Sequence, residues 1–262
     1  MNRQPNDISP ELWQDNIDRD MSLAEHLSEL RSCILKVLAY LAVGMGISFY
    51  FIRQIMDILT APAGQLYYMR PAEAFMIYMK ITLLGGLVLA LPFMLYELYA
   101  FIKPALTLRE KRFTLCSIPM VVVLFLGGML FAYLLVFPRA LEFFLGFAAD
   151  KVNPLLSMES YLDFMLMLVV PFGFVFNIPI LILLLAYLQL LPVKVLKRYH
   201  KHVILAAFIL AAFITPTPDI ITQSLLALPM VILYEISLLA CRVFVKNRLC
   251  HNKWLILTRN SV

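Results

Sequence analysis

The chain has 262 residues, of which 62% are hydrophobic and only 15% charged, and its net charge is +5. A soluble domain of this size carries about a quarter charged residues, so the composition excludes a water-solvated globule and calls for lipid as solvent. The 13% aromatics and 15 prolines fit membrane interfaces and interrupted spans.

Before the first apolar run stand Asp7, Glu11, Asp15, Asp18, Asp20, Glu25 and Glu29. A secretory leader begins with a short basic region and an organelle transit peptide is Arg-rich, so neither is expected here. Residues 1–20 read as a polar tail, 21–244 as a membrane domain and 245–262 as a basic tail. Six apolar runs follow one another at 33–52, 76–100, 115–137, 161–189, 203–214 and 220–241. A run of about 20 residues at 1.5 Å per residue matches a hydrocarbon layer of about 30 Å. The fifth, Val203 to Ile214, has 12 residues, about 18 Å of helix, and needs help from its flanks or a locally thinned bilayer.

Lysines and arginines alternate in density between the connecting segments. Arg3, Arg19 and Arg31 precede the first run; Lys103, Arg109, Lys111 and Arg112 follow the second. Lys194, Lys197, Arg198 and Lys201 follow the fourth, and Arg242, Lys246, Arg248, Lys253 and Arg259 follow the sixth, 16 on one side. The other side has four: Arg53, Arg70, Arg139 and Lys151. The positive-inside rule therefore puts both termini in the cytoplasm. It also accounts for the net positive charge through topology and lipid contact, with no call for nucleic acid. The expected fold is an all-α integral membrane protein of about six transmembrane helices. Pro92, Pro119, Pro138, Pro171, Pro179 and Pro229 lie inside or at the ends of these runs. Each interior proline removes a backbone donor and bends its helix, which predicts kinked spans forming a curved wall.

Cys33, Cys116, Cys241 and Cys250 show no CxxC spacing and read as free thiols in a reducing compartment. Cys250 next to His251 does not make a metal site, and no cofactor is implied. Ser22 and Glu25 have capping-box spacing, which gives Glu25 a structural role at the start of a helix. Glu29 has Ser32 and Cys33 ahead of it and the like-charged Glu25 at i−4, so no helical ion-pair partner lies ahead of it. It can serve an external cation or stand as a solvated surface acid. Tyr96, Tyr99 and Phe101 place rings at the headgroup level near the end of the second run. Asn177 and Glu235 are polar groups within apolar runs. A charge at the centre of a span costs roughly 2.5–3.5 kcal/mol, so Glu235 needs a partner, a water-lined face or a place near the interface.

The ordered segments His26-Leu-Ser-Glu29-Leu-Arg31, Tyr96-Glu97-Leu-Tyr99-Ala-Phe101-Ile-Lys103-Pro104-Ala-Leu106, Phe172-Gly-Phe-Val-Phe-Asn177-Ile-Pro179 and Thr215-Pro-Thr-Pro-Asp219 resemble the TatC family, the polytopic receptor subunits of the twin-arginine protein translocase. The resemblance runs from about Met21 to Phe244 and implies binding of the twin-arginine signal peptides of folded precursors. Matched position by position, it assigns signal-peptide binding to Glu29, Arg31 and Glu110, with Phe101 in the same region. It marks Asn177 and Asp219 as functionally sensitive. It further implies single-span TatA- and TatB-type partners, homo-oligomers within a receptor complex, the proton-motive force as energy source and a bacterial inner membrane location. This chain departs from the family pattern at Glu97, usually Gln, at Tyr99, usually Trp, and at Asn177, commonly Glu or Gln. Asn177 can hydrogen-bond a partner helix but cannot titrate.

The chemistry of the residues is compatible with a receptor, since a guanidinium presents a planar fork that suits a carboxylate. No GxxxxGK[ST] supports an ATP-driven pump, and no HExxH, GxSxG or paired membrane aspartates support an intramembrane enzyme. A secondary small-solute transporter, the competing class, predicts related halves and broken helices facing each other at mid-membrane. No internal repeat is visible, and the polar groups gather toward the cytoplasmic ends.

Overall fold

The structure, a computed structural model, describes residues 23–64, 66–146, 155–188, 198–214, 220, 223–224 and 226–239. The tails expected at 1–20 and 245–262 and the cap at Ser22 lie outside the described residues. Among the described residues the chain is helical, with one isolated parallel bridge joining Tyr67 and Ser157. In chain order the helices are α1 (Leu23–Tyr50), α2 (Ile52–Thr60), α3 (Pro71–Ile102), α4 (Leu108–Phe131), α5 (Phe137–Gly146), α6 (Met158–Val175), α7 (Ile178–Tyr187), α8 (His200–Ile214) and α9 (Leu226–Leu239).

Four stretches are long and apolar enough to cross a bilayer: His26–Tyr50, Pro71–Ala105, Glu110–Gly146 and Met158–Tyr187. The third is α4 continued through a π-helical turn at Ala132–Val136 into α5. It runs past the expected end at residue 137 because Arg139 and Glu142 turn outward, 3.7 Å apart, while Phe137 and Ala140 are buried. The fourth joins α6 to α7. Helices α8 and α9 are shorter and apolar. The 15 residues of α8 make about 22 Å, so the fifth expected span is short in the structure too.

Local chemistry sets the helix starts. Pro71 opens α3, where a missing N–H costs nothing. Buried Glu73 in the same first turn accepts the Met69 backbone N–H at 2.9 Å. Helix α4 begins with a capping box, Thr107 and Glu110 each accepting a backbone N–H of the other. Pro92, Pro119 and Pro171 sit inside otherwise continuous helices, and Pro179 opens α7.

The sequence reading gave no helix between the first two spans, yet α2 lies there. Ile52 and Met56 are buried on one face of α2 with Ile55 and Leu59 packed beside them, while Arg53, Gln54 and Asp57 are exposed. The end of α2 is tied to the later spans by two phenols. Tyr133 donates to the Ile58 carbonyl at 2.6 Å and Tyr161 to that of Leu59 at 3.2 Å, both in the last turn of the helix.

Lipid-exposed helices gain little from burial against one another, so close backbone approach between small residues carries their packing. α1 and α3 meet this way. A Cβ built on Gly44 would lie 2.5 Å from the Gly86 carbonyl oxygen, and one on Gly86 within 2.8 Å of Met45 backbone atoms. Buried Ser48 fills the space in front of Gly85. The α4–α6 contact uses the same device. A Cβ on Gly128 would lie 2.5 Å from the Phe172 carbonyl oxygen, and one on Gly173 would press on the Phe125 ring at 2.9 Å. Around these contacts a core of Ile77, Ile81, Phe137, Tyr161, Leu162, Met165 and Phe172 joins α3, α5 and α6.

Gly86→Leu is therefore expected to part α1 from α3 and to destabilise the protein in detergent by at least ~1–3 kcal/mol. Gly127→Ala, with no atom within 4 Å of the added Cβ, should stay within about 0.5 kcal/mol of the parent. Thermal unfolding of the two variants checks this; equal stability would contradict the close-approach account.

Candidate functional site

The α1–α3 contact leaves a cavity of about 220 Å³ at the end where α1 begins and α3 finishes. Ser28, Glu29, Ser32, Cys33 and Lys36 line it from α1, and Glu97, Ala100 and Phe101 from α3. On α1 these positions recur at three- and four-residue spacing and so share one face. Glu97 lies one turn before Phe101, which brings acid and ring to the same wall.

Two carboxylates with different surroundings meet here. The Glu29 side chain is 41% exposed, and its nearest charged neighbour is His26, whose Nδ1 lies 3.8 Å from Oε2. That contact is an ion pair only when the imidazole is protonated. The partner lies behind Glu29 in sequence, at i−3, whereas the sequence shows none ahead of it. The same imidazole stacks on Phe101 at 4.4 Å between ring centroids and 18° between planes. Glu97 is buried, with 8% of its side chain exposed. Lys36 Nζ donates to its Oε2 at 3.1 Å and the Tyr40 hydroxyl to its Oε1 at 3.4 Å. Lys36 itself is 57% exposed. The buried acid is thus compensated by a lysine that is itself more than half exposed and lines the cavity.

Of the residues expected at the site, Glu29 and Phe101 come together in this cavity, whereas Arg31 and Glu110 are not among its lining. Arg31 is exposed on α1. Glu110 sits in the first turn of α4 with Oε2 accepting the Thr107 N–H at 2.9 Å. A signal for that role was present in the Thr107-Leu-Arg-Glu110 spacing.

Glu235, expected to need a partner, has one: His200 Nδ1 lies 3.2 Å from Oε1, joining α9 to the start of α8, and Glu235 remains 46% exposed. Asn177 occupies the break between α6 and α7. Its Nδ2 donates to the Gly173 carbonyl at 2.9 Å, while its Oδ1 is buried without a hydrogen-bond partner among the described residues. Asp219 lies outside the described residues. Sequence reasoning passed over Glu97 as a site residue and also missed the three charges inside apolar runs, Lys36, Lys80 and Asp163. Lys80 donates to both oxygens of Asp163, at 2.7 and 2.8 Å, and so links α3 to α6. The signal available for each was a lone charge within an apolar run, which demands a partner.

The fold and the site define a polytopic helical membrane protein with a carboxylate-lined pocket at one end of its first two long helices. A family model described as "Sec-independent protein translocase protein (TatC)" matches residues 25–229. The Sec-independent protein translocase protein TatC of Desulforapulum autotrophicum is 40% identical over 231 residues, which cover 86% of this chain and 85% of that one. That of Aquifex aeolicus is 39% identical over 227 residues, covering 83% and 93%. A crystal structure of the twin arginine translocase receptor TatC in DDM superposes with a TM-score of 0.74 at 37% identity, over 82% of this chain and 99% of that one. The chain belongs to the TatC family, a component of the Sec-independent protein translocase.

The capping geometry separates two contributions of Glu110. Glu110→Ala should lower stability by about 0.5–1.5 kcal/mol through the lost hydrogen bond. Glu110→Gln, whose amide oxygen can still accept the Thr107 N–H, should retain most of it. Thermal unfolding in detergent reads the difference, and an equal loss in both variants would remove the cap as the reason.

Proposed function

We propose that this chain is the receptor subunit of a twin-arginine translocase and that the α1–α3 pocket receives the arginine pair of the signal peptide. The observation that carries this reading is the meeting of Glu29 with Phe101 in one open cavity that also holds the carboxylate of Glu97. A guanidinium is planar, always charged and matched in geometry to a carboxylate, and its face can lie on an aromatic ring. The surrounding lysines and arginines oppose a cationic ligand in bulk, so recognition works at short range within the pocket.

The 16-to-4 distribution of basic residues supports placing this pocket on the cytoplasmic side, with both termini there and the helices in a bacterial inner membrane. Folded precursors would then meet the receptor before crossing. Single-span TatA- and TatB-type proteins and further copies of this chain are its partners in this reading, and the proton-motive force drives export. Asn177 contributes through its buried Oδ1 as a hydrogen-bond acceptor for a partner helix, because an amide carries no titrating proton. Glu110 and Arg31, which do not line the cavity, are additional contacts to the peptide in this reading. Asp219 and Glu235 are assigned to the wider functional surface.

The test is site-specific crosslinking from Phe101 and Glu110 to a twin-arginine precursor, with its twin-lysine counterpart as reference. Glu29→Lys should reduce crosslinking roughly tenfold or more, a loss that corresponds to a charge-assisted hydrogen bond, at unchanged protein level. Crosslinks of equal strength to both precursors, or undiminished in the Glu29 variant, would refute the assignment.

A further inference from the structure

The pocket pairs a buried acid with an exposed base. Glu97 is almost wholly buried, yet its cationic partner Lys36 is more than half exposed and belongs to the cavity wall. A buried acid that served only to hold α1 against α3 would be best matched by an equally buried donor. This role is already filled in part by Tyr40, which donates to Oε1. Lys36 occupies Oε2 from the cavity wall, as an ammonium at the tip of a flexible stem. An ionised carboxylate offers about four acceptor positions, and Tyr40 and Lys36 account for two of them.

We propose that Glu97 is a second guanidinium subsite of this pocket and that Lys36 is its resident counter-cation, displaced when the second arginine of the ligand enters. The inference rests on the reading of the pocket as a twin-arginine site and adds to it a carboxylate that this chain carries where the family pattern usually has Gln. Glu29 and Lys36 stand seven residues apart on one face of α1, about 10 Å along its axis. Neighbouring side chains of an extended segment leave the backbone in opposite directions, which suits an adjacent arginine pair to carboxylates held apart in this way. Displacement favours the arginine because its rigid fork makes two parallel hydrogen bonds to a carboxylate where an ammonium acts as a point charge. Lys36 can swing away from Glu97 on its flexible stem without leaving the cavity wall. Before binding, the lysine keeps a buried carboxylate from standing uncompensated, a state that is strongly unfavourable.

The experiment measures binding of four synthetic signal peptides, Arg-Arg, Arg-Lys, Lys-Arg and Lys-Lys, to the full-length protein in detergent. Glu97→Gln keeps the side-chain shape and an acceptor for Tyr40. It should weaken the Arg-Arg peptide about tenfold and leave the better-bound of the two single-arginine peptides unchanged. Lys36→Met should tighten Arg-Arg binding, and Lys36→Arg, which installs a resident fork, should weaken it. Adding Lys36→Met to Glu97→Gln should produce no further tightening. Equal weakening of every peptide by Glu97→Gln would overturn the proposal, and so would unchanged or weakened Arg-Arg binding in a folded Lys36→Met protein. If Lys36→Met does not fold, the peptide selectivity of Glu97→Gln and the loss in Lys36→Arg decide the question. Glu29→Gln separates the two levels. If it weakens Arg-Arg binding while the Glu97 and Lys36 variants behave as the parent, the second subsite falls and the receptor reading stands. If it too binds as the parent, the pocket itself is not the arginine site.

Discussion

The backbone contact of α1 with α3 at Gly44 and Gly86 governs the rest of the molecule. In lipid, apolar surface gains little by being covered, so two helices associate through how closely their backbones approach and which polar groups they can then share. Here the approach is close enough that a Cβ at either glycine would strike backbone atoms of the other helix. That closeness brings a lysine on α1 within 3.1 Å of an acid on α3. With bulkier residues at the crossing, Lys36 and Glu97 would each need another partner and the cavity between them would lose its floor. The pocket is therefore a by-product of a packing contact about two turns deeper in the membrane domain.

Charges inside the apolar runs repeat the pattern at other places. Lys80 with Asp163 links α3 to α6, and His200 with Glu235 links α8 to α9. In each case residues far apart in sequence satisfy one another across neighbouring helices, which is how ionisable groups persist in such segments. These bridges bind the short helices as well as the long ones. Gln223 adds to this by donating to the Phe208 carbonyl at 3.0 Å, which ties the segment before α9 to α8. A helix such as α8, with 15 residues, depends on neighbours of this kind because its own length does not match a normal bilayer.

The break between α6 and α7 shows a different use of local chemistry. Pro179 stands in the first turn of α7, where its missing N–H leaves no helical bond unmade, and Asn177 ahead of it turns back to the Gly173 carbonyl. One side-chain donor is spent within the turn and one acceptor is left buried and open. A buried acceptor left without a partner is costly, and the partner helix proposed above would relieve that cost. The Glu110 carboxylate is in the opposite situation, since a backbone N–H of its own helix start already takes one of its oxygens.

The existence, order and approximate limits of the six apolar helices were legible in the sequence, because lipid imposes length and composition directly on each segment and basic residues mark the connections. Helix α2 was not, since nine residues with an apolar stripe look like any polar linker until the core they cover is known. Of the candidate site, Glu29 and Phe101 were legible through motif resemblance, while Glu97 registered only as a departure from a family pattern. Its partnership with Lys36, like that of Glu235 with His200, depends on which helix faces lie together. Sequence spacing fixes the face on which a side chain stands, but only the packed helices decide what stands opposite. The glycines that permit that packing act through the side chains they lack, so their effect becomes visible only when two backbones have met.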